Sequence, residues 1–173
     1  MRRRTFFGVG LAAAAAGTAV TTTRSQPNGP WRFFTPEEAA TVDAICECLI
    51  PADRDPGASQ AGVVNYIDLQ LTRPFKRYQK AYRQGIAAVD TVSRSQFSQP
   101  FVALSADRQV DVLKSVEKNS RGFFDLILNH TRQGFYGDPR HGGNRNMASW
   151  KMLGLPYPPV RGRMHYEDRP KEG

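Results

Sequence analysis

The sequence has few residues of the kinds that hold metals or redox centres. Of its 173 residues, only two are cysteine and three are histidine. It contains no C-x-x-C-H sequence for attaching haem and no set of four cysteines for an iron–sulfur cluster. His130, His141 and His165 form no recognised metal-ligand pattern, and we expect His130 to be a packed or capping residue of a helix. The sequence therefore predicts no metal or haem in this chain.

The two cysteines lie two positions apart, at Cys46 and Cys48, in a segment with helical periodicity. Residues at that spacing point to nearly opposite sides of a helix, so a disulfide between them would be badly strained. We expect Cys46 to be a small core residue. Cys48, if it is exposed in an oxidising compartment, could instead pair with a partner chain.

Motifs that carry catalysis or bind nucleotides are also absent. There is no G-x-S-x-G, no G-x-x-x-x-G-K-[ST] and no G-x-G-x-x-G that follows a strand. The fragment Gly8-x-Gly10 lies inside the N-terminal segment and precedes no strand. We therefore predict no catalytic and no cofactor-binding residues in this chain.

The chain is basic, with a net charge of +8, but the charge is unevenly distributed. Arg2, Arg3, Arg4 and Arg24 all lie near the N-terminus, and the chain beyond them carries about +4, which is ordinary for a soluble domain. No basic helix with interleaved stacking aromatics is present. A nucleic-acid partner is therefore not expected.

The N-terminus has the three zones of an export signal. A cationic start precedes an apolar run from Phe6 to about Val20, which is shorter than the roughly twenty apolar residues needed to span a bilayer. Arg3-Arg4, followed by Phe6 and Phe7, resembles the twin-arginine export motif. The alternatives are an ordinary secretory signal and an uncleaved anchor.

The twin-arginine resemblance implies that the protein crosses the membrane already folded and works in the periplasm. Proteins exported in this way commonly carry a cofactor or travel with a partner that does. We assign residues 1–26 to the signal and its linker.

The body of the chain has helical signals throughout. Thr35 can cap a first helix that begins at Pro36, Glu38 completes a capping box, and Pro51 ends the helix. Further helices are predicted from apolar residues that repeat at three and four positions. They run from about Ser59 to before Pro74, from Phe75 to Val89, after the cap Ser105, and through residues 122–134.

No period-two alternation, hairpin signal or internal repeat is present. The predicted fold is an all-α bundle of about five helices over residues 31–134, followed by an irregular Gly/Pro-rich docking loop and tail over residues 135–173.

One predicted helix carries cations on a single face, at Lys76, Arg77, Lys80 and Arg83. Such a face favours either a simple solvated surface or binding to an acidic partner or membrane. A free-standing module that binds an anionic ligand is therefore one alternative function.

The segment "FYGDPRHGGNRNMASWKMLG", residues 135–154, concentrates glycine, asparagine, cations and aromatics. Asp138-Pro139 and Gly142-Gly143 predict successive turns, and Tyr136 and Trp150 are expected to anchor them on apolar surface. A second alternative function is an independent enzyme that uses Asp138, His141 and Arg145.

This segment, with "GFYGDPRHGGNRNMASWKMLGLP" as its full extent, resembles the C-terminal pattern of the gluconate 2-dehydrogenase subunit 3 family, G-F-Y-G-D-P-x-x-G-G-N-x-x-x-x-x-W-K-x-x-G. The stretches "TPEEAATVDAICECLIPAD" and "PGASQAGVVNYIDLQL" are similar to the family's first two helices. The resemblance covers about Phe34 to Pro159.

The resemblance implies a small helical subunit with no catalytic residues of its own. Its expected partner is an FAD-containing large subunit of the glucose-methanol-choline type, often joined by a membrane-bound c-type cytochrome. The small subunit would carry the signal to the twin-arginine translocase for both chains. The residues expected to form the partner-docking element are Phe135, Tyr136, Asp138, Pro139, Arg140, Gly142, Gly143, Asn144, Arg145 and Trp150.

Overall fold

The computed structural model describes residues 31–155, and within them every regular element is helical. Six α-helices follow one another along the chain: α1 Pro36–Leu49, α2 Val63–Leu71, α3 Gln79–Phe97, α4 Ala106–Asn119, α5 Arg121–Tyr136 and α6 Ala148–Met152. Single turns of 3-10 helix lie at Lys76–Tyr78, Phe101–Ala103, Pro139–His141 and Arg145–Met147. The predicted all-α class is confirmed for this part of the chain. The export-signal residues Arg3, Arg4, Phe6 and Phe7 lie outside the described residues, as does His165.

The first helix begins as its local sequence predicts. The Thr35 hydroxyl accepts a hydrogen bond from the Glu38 N–H, and the Glu38 carboxylate accepts one from the Thr35 N–H. These two bonds satisfy backbone donors that have no partner inside the helix. Pro36 occupies the first helical position, where no N–H is needed.

The starts of α2 and α3 differ from the prediction. α2 begins at Val63 and not near Ser59, because Gly62 has a left-handed backbone (φ +69°) that interrupts the helix. The helix predicted from Phe75 divides into a 3-10 turn and then α3, which continues to Phe97. Ser105 occupies the N-cap of α4, as predicted, although its side chain accepts no capping hydrogen bond among the described residues.

The segment predicted to be irregular contains more structure than expected. α5 continues to Tyr136, and the short helix α6 follows within it. The prediction of an irregular tail is therefore wrong for residues 135–136 and 148–152.

The core lies where α1 packs against α2, α4 and α5, with α3 against α4. Its largest fully buried side chains include Tyr82, Phe101, Phe135 and Ile45. Cys46 is buried in the same core, as predicted, and burial raises the pKa of its thiol to about 12. No helix within residues 31–155 is both long enough and apolar enough to cross a membrane.

A buried carboxylate holds the beginning of the described chain onto the core. The Asp68 side chain on α2 is almost fully buried and accepts hydrogen bonds from the N–H groups of Arg32, Phe33 and Phe34, at 2.8, 3.0 and 3.0 Å. Three N–H donors thus satisfy the hydrogen-bonding capacity of this buried side chain. The segment just before α1 is thereby held against α2.

His130 packs within the aromatic core, one of the two roles predicted for it. Its ring stacks on Phe75 with 4.1 Å between centroids, and a 2.9 Å hydrogen bond joins its Nδ1 to the Tyr82 hydroxyl. Burial, and secondarily the positive charge of Arg77, lowers the pKa of His130 to about 4. The imidazole is therefore neutral near pH 7.

Candidate functional site

In the docking segment, residues 135–154, the backbone crosses close to the end of α5. The Asn144 N–H donates to the Gly134 carbonyl at 2.9 Å, which brings residue 143 against the last turns of α5. A Cβ on Gly143 would lie 2.2 Å from the Gly134 carbonyl oxygen, and no side chain fits in that space. Glycine at position 143 is therefore required by the fold itself.

Asn144 joins the three parts of the docking segment. Its side chain is fully buried; the Nδ2 group donates to the Gly137 carbonyl at 2.9 Å, and Oδ1 accepts from the Ser149 N–H at 3.0 Å. Its backbone is left-handed (φ 44°), a conformation that asparagine tolerates better than most residues. One residue thus connects the end of α5, the loop and the beginning of α6.

Trp150 closes the loop from the side of α6. Its side chain is 6% exposed, and the indole N–H donates to the Tyr136 carbonyl at 2.9 Å. Phe135 is also buried, at 1% exposure, whereas the Tyr136 side chain is 46% exposed. Of the two aromatics expected to anchor the loop, Trp150 is therefore inside and Tyr136 faces outward.

Asp138 organises the turn that follows α5. Its carboxylate accepts a hydrogen bond from the Arg140 N–H at 3.0 Å and forms an ion pair with the Arg140 guanidinium at 2.9 Å. Pro139 occupies the first position of the 3-10 turn, where its missing N–H costs nothing. Gly142 ends that turn with φ +97°. Asp138 and Arg140 are therefore partners of each other.

The structure does not bring Asp138, His141 and Arg145 together as one catalytic group. The Asp138 carboxylate binds Arg140, while the Arg145 guanidinium lies beside Gly62, within 3.4 Å of the position that a Cβ there would occupy. His141 is exposed and contacts Asp138 only through its backbone N–H among the bonds of the described residues. Within residues 31–155, no group of three or more His, Cys, Asp or Glu is placed to hold a metal ion.

A backbone hydrogen bond attaches the docking segment to the α1–α2 connection, at the end next to α2. The Arg145 N–H donates to the Ala61 carbonyl at 2.8 Å. Between the segment and this connection lies an open cleft of about 530 Å³, and Arg145, Lys151, Gln60 and Asp55 are among its lining residues.

Large apolar side chains are exposed at this same end of the molecule. Among the described residues six large hydrophobic side chains are exposed, and four of them are Tyr136, Met152, Leu153 and Leu155. The Leu155 N–H donates to the Trp150 carbonyl at 2.8 Å, and the Trp150 indole N–H donates to the Tyr136 carbonyl, so Tyr136 and Leu155 are both hydrogen-bonded through their backbones to the buried tryptophan. Periodicity did not reveal Met152, Leu153 and Leu155, because α6 is too short to show a helical repeat.

Two of the four cations on the basic face of α3 and the preceding turn are already used within the chain. Arg83 forms an ion pair with Glu38 and donates to the Phe33 carbonyl, and Arg77 lies over the Tyr78 ring, 4.7 Å from its centroid. Lys76 and Lys80 are exposed. Fewer cations of this face are therefore free to bind an external anion than the sequence suggests.

Comparison with known protein families identifies a match, which covers both the helical bundle and the docking segment. The family model described as gluconate 2-dehydrogenase subunit 3 matches residues 36–156, well over half of the chain. The chain belongs to the gluconate 2-dehydrogenase subunit 3 family. No curated protein and no solved structure matches the chain. As the family's name states, its members are described as a subunit of a dehydrogenase, which agrees with an accessory role.

The ten residues predicted to dock a partner subunit divide into buried and accessible ones. Five of the ten residues predicted to dock a partner are buried in the chain's own fold: Phe135, Asp138, Gly143, Asn144 and Trp150. Tyr136 and Arg140 are exposed, and Pro139, Gly142 and Arg145 are half-buried. The buried residues shape the segment, and only the others are placed to touch a partner directly. Docking by this segment stays a prediction.

Proposed function

We propose that this chain is the non-catalytic small subunit of a periplasmic FAD-dependent sugar or polyol dehydrogenase complex. In this role it binds and stabilises the flavoprotein large subunit, and its twin-arginine signal exports both chains together. The FAD and the catalytic residues belong to the large subunit, and a membrane-bound c-type cytochrome accepts electrons where the complex includes one.

The observation that carries this proposal is an outward-facing apolar surface on a rigid support. Tyr136, Met152, Leu153 and Leu155 expose between 37% and 54% of their surface. The buried Trp150 is hydrogen-bonded to the backbones of Tyr136 and Leu155, and Asn144 fixes the loop by two side-chain hydrogen bonds. Clustered exposed apolar side chains favour a protein interface, and a preorganised support reduces the entropy lost on binding.

The export part of the proposal depends on the sequence. Arg3-Arg4 with Phe6 and Phe7 resembles a twin-arginine signal, a route for folded cargo, while the chain itself shows no cofactor motif. A folded flavoprotein bound to this subunit accounts for such a signal on a chain without a cofactor.

Co-purification tests the binding part. The chain is co-expressed with the large flavoprotein subunit encoded in the adjacent reading frame and purified through a tag on this chain. We expect a yellow complex with the absorbance of FAD and with dehydrogenase activity that the isolated small subunit lacks. Recovery of the tagged chain alone, without flavin, would contradict the proposal.

Fractionation of cells tests the export part separately. Replacing Arg3 and Arg4 by lysine should leave both subunits in the cytoplasm, because the paired arginines are the recognised feature of the signal. The control is Arg2→Lys, which changes a neighbouring arginine outside the pair. Export of the large subunit by cells that carry the double variant would refute co-export and leave the binding part standing.

A further inference from the structure

The cleft beside the docking segment has a wall on each side that is fixed by the fold. On one side, the Glu47 carboxylate of α1 accepts hydrogen bonds from the Ala52 and Ser59 N–H groups, both at 2.9 Å, and so holds the α1–α2 connection. On the other, the Arg145 N–H binds the Ala61 carbonyl at 2.8 Å and holds the docking segment. The cleft is therefore formed before any partner arrives.

The lining of the cleft is cationic. Arg145 and Lys151 contribute two positive charges, and Asp55 contributes the one negative charge among the described lining residues. The Arg145 guanidinium forms no ion pair and no side-chain hydrogen bond with any residue in the described range 31–155. Its five N–H donors are available to a ligand, and their planar arrangement fits a carboxylate.

The start of α2, against which Arg145 packs, carries no acidic side chain that would pair with it. The guanidinium lies against Gly62, the N-cap residue of α2, a position where aspartate, serine or asparagine commonly provides an acceptor. α2 has no acidic residue in its first turn and no side-chain cap. The half-buried Arg145 is thus held beside a backbone that offers it no countercharge.

We infer that this cleft receives an extended acidic segment of the flavoprotein large subunit, with an Asp or Glu carboxylate seated on the Arg145 guanidinium and Lys151 close by. This inference rests on the function proposed above and adds the chemistry of one contact. A peptide suits the site better than a free anion, since the cleft is open, exceeds the size of a small ion, and is flanked by Met152 at the edge of the exposed apolar surface.

Residues 156–173 of this chain are a weaker candidate for the occupant. They carry four Lys or Arg residues against three Asp or Glu residues, so their overall charge does not complement a cationic cleft. A partner segment rich in carboxylates would.

Charge reversal in the complex tests the inference. Arg145→Glu and, separately, Lys151→Glu are introduced into the full-length chain, and their affinity for the purified large subunit is measured at low and high salt. Lys80→Glu is the matched control, because it reverses an exposed cation on α3 outside the cleft. We expect each cleft variant to weaken binding about tenfold or more, to reduce the salt dependence, and to leave the circular dichroism unchanged; the control should stay within about twofold of the wild type.

Zero-length carbodiimide coupling identifies what occupies the cleft. An amide bond between Lys151 and an Asp or Glu of the large subunit, found by mass spectrometry, supports the inference. Coupling of Lys151 to Glu167, Asp168 or Glu172 of its own chain would overturn it in favour of the tail.

The outcomes separate this inference from the function on which it rests. If the wild-type chain fails to bind the flavoprotein, both fall. If the wild type and the two folded cleft variants bind equally well, only the acidic contact is refuted. Since Lys151 is exposed, its variant keeps the test decisive even if Arg145→Glu fails to fold.

Discussion

Replacement of Asn144 should unfold the docking segment, and the structure gives the size of the effect. The residue is fully buried, and its side chain satisfies two backbone groups, the Gly137 carbonyl and the Ser149 N–H. Leaving a buried polar group without a partner costs about 1–3 kcal/mol, so the loss of both bonds should cost about 2–6 kcal/mol. Alanine adds about 1–2 kcal/mol because it must adopt the left-handed backbone of position 144. Asn144→Ala should therefore lower the free energy of unfolding by about 3–8 kcal/mol.

Two variants separate the side-chain contribution from the backbone contribution. Asn144→Gly removes the same two hydrogen bonds but tolerates φ 44°, so it should cost about 2–6 kcal/mol. Asn146→Ala is the control: Asn146 also has a left-handed backbone (φ 56°), but it is exposed and its side chain forms no hydrogen bond within the described residues. We expect it to cost about 1–2 kcal/mol, the backbone contribution alone.

The assay is denaturant unfolding of the isolated chain in a Trp31→Phe background, which leaves Trp150 as the single tryptophan, followed by far-UV circular dichroism and by Trp150 fluorescence. Because Asn144 supports the loop that covers Trp150, the tryptophan signal should change at a lower denaturant concentration in Asn144→Ala than in the wild type. An Asn144→Gly variant within about 0.5 kcal/mol of the wild type would refute the reasoning, since the two buried hydrogen bonds would then contribute almost nothing.

Three further predictions follow from burial and charge. Trp150→Ala should lower the free energy of unfolding by about 3–5 kcal/mol, whereas Lys76→Ala, on an exposed residue, should change it by less than about 0.5 kcal/mol in the same denaturant assay. Leu153→Ser should weaken capture of the flavoprotein without changing the unfolding free energy, and Val110→Ser, at an exposed apolar position on α4, should change neither. Because the folded pKa of His130, about 4, is below its ordinary value of 6.5, the unfolded chain binds more protons and stability is lost as the pH falls. Between pH 7.5 and pH 5 this loss should be about 2 kcal/mol, and a pH dependence equally steep in His130→Gln would contradict it.

The helices could be predicted because their signals are local. The capping box of Thr35 and Glu38 lies within four consecutive residues, and the structure forms it as expected. The start of α2 was missed because Gly62 adopts a left-handed backbone, a conformation that glycine populates as readily as the right-handed one and that apolar periodicity does not reveal. α6 was missed because its five residues follow left-handed positions at Asn144, Asn146 and Met147, which no periodicity reveals.

The docking segment was recognisable from its composition, but the sequence did not show which of its side chains are buried and which are exposed. Which residues are buried depends on pairings such as the Arg145 N–H with the Ala61 carbonyl, and those residues are far apart in the chain. Sequence reasoning therefore grouped the buried Asn144 with the exposed Tyr136. Only the three-dimensional path of the loop separates residues that support the surface from residues that form it.

The buried path of its backbone explains why the docking segment is rich in glycine and asparagine. An irregular backbone that is buried must satisfy its own N–H and C=O groups, since water cannot reach them. Gly143 allows the crossing at α5, and Asn144 supplies the missing donor and acceptor. The family pattern that the chain resembles is therefore in large part a requirement of folding, and most of its fixed positions need no partner to account for them.

Two fixed positions of that pattern, Tyr136 and Lys151, are not explained by the folding of the chain itself. Gly154 is exposed too, but its φ of +65° favours glycine, so the backbone accounts for this position. Tyr136 and Lys151 are exposed as well, and neither side chain forms a hydrogen bond or an ion pair that would hold the fold within residues 31–155. A residue type that the chain's own packing does not demand is best explained by what it contacts. Tyr136 at the exposed apolar surface and Lys151 in the cationic cleft are thus the two positions of the pattern where contact with the flavoprotein is most strongly expected, one by apolar burial and one by charge.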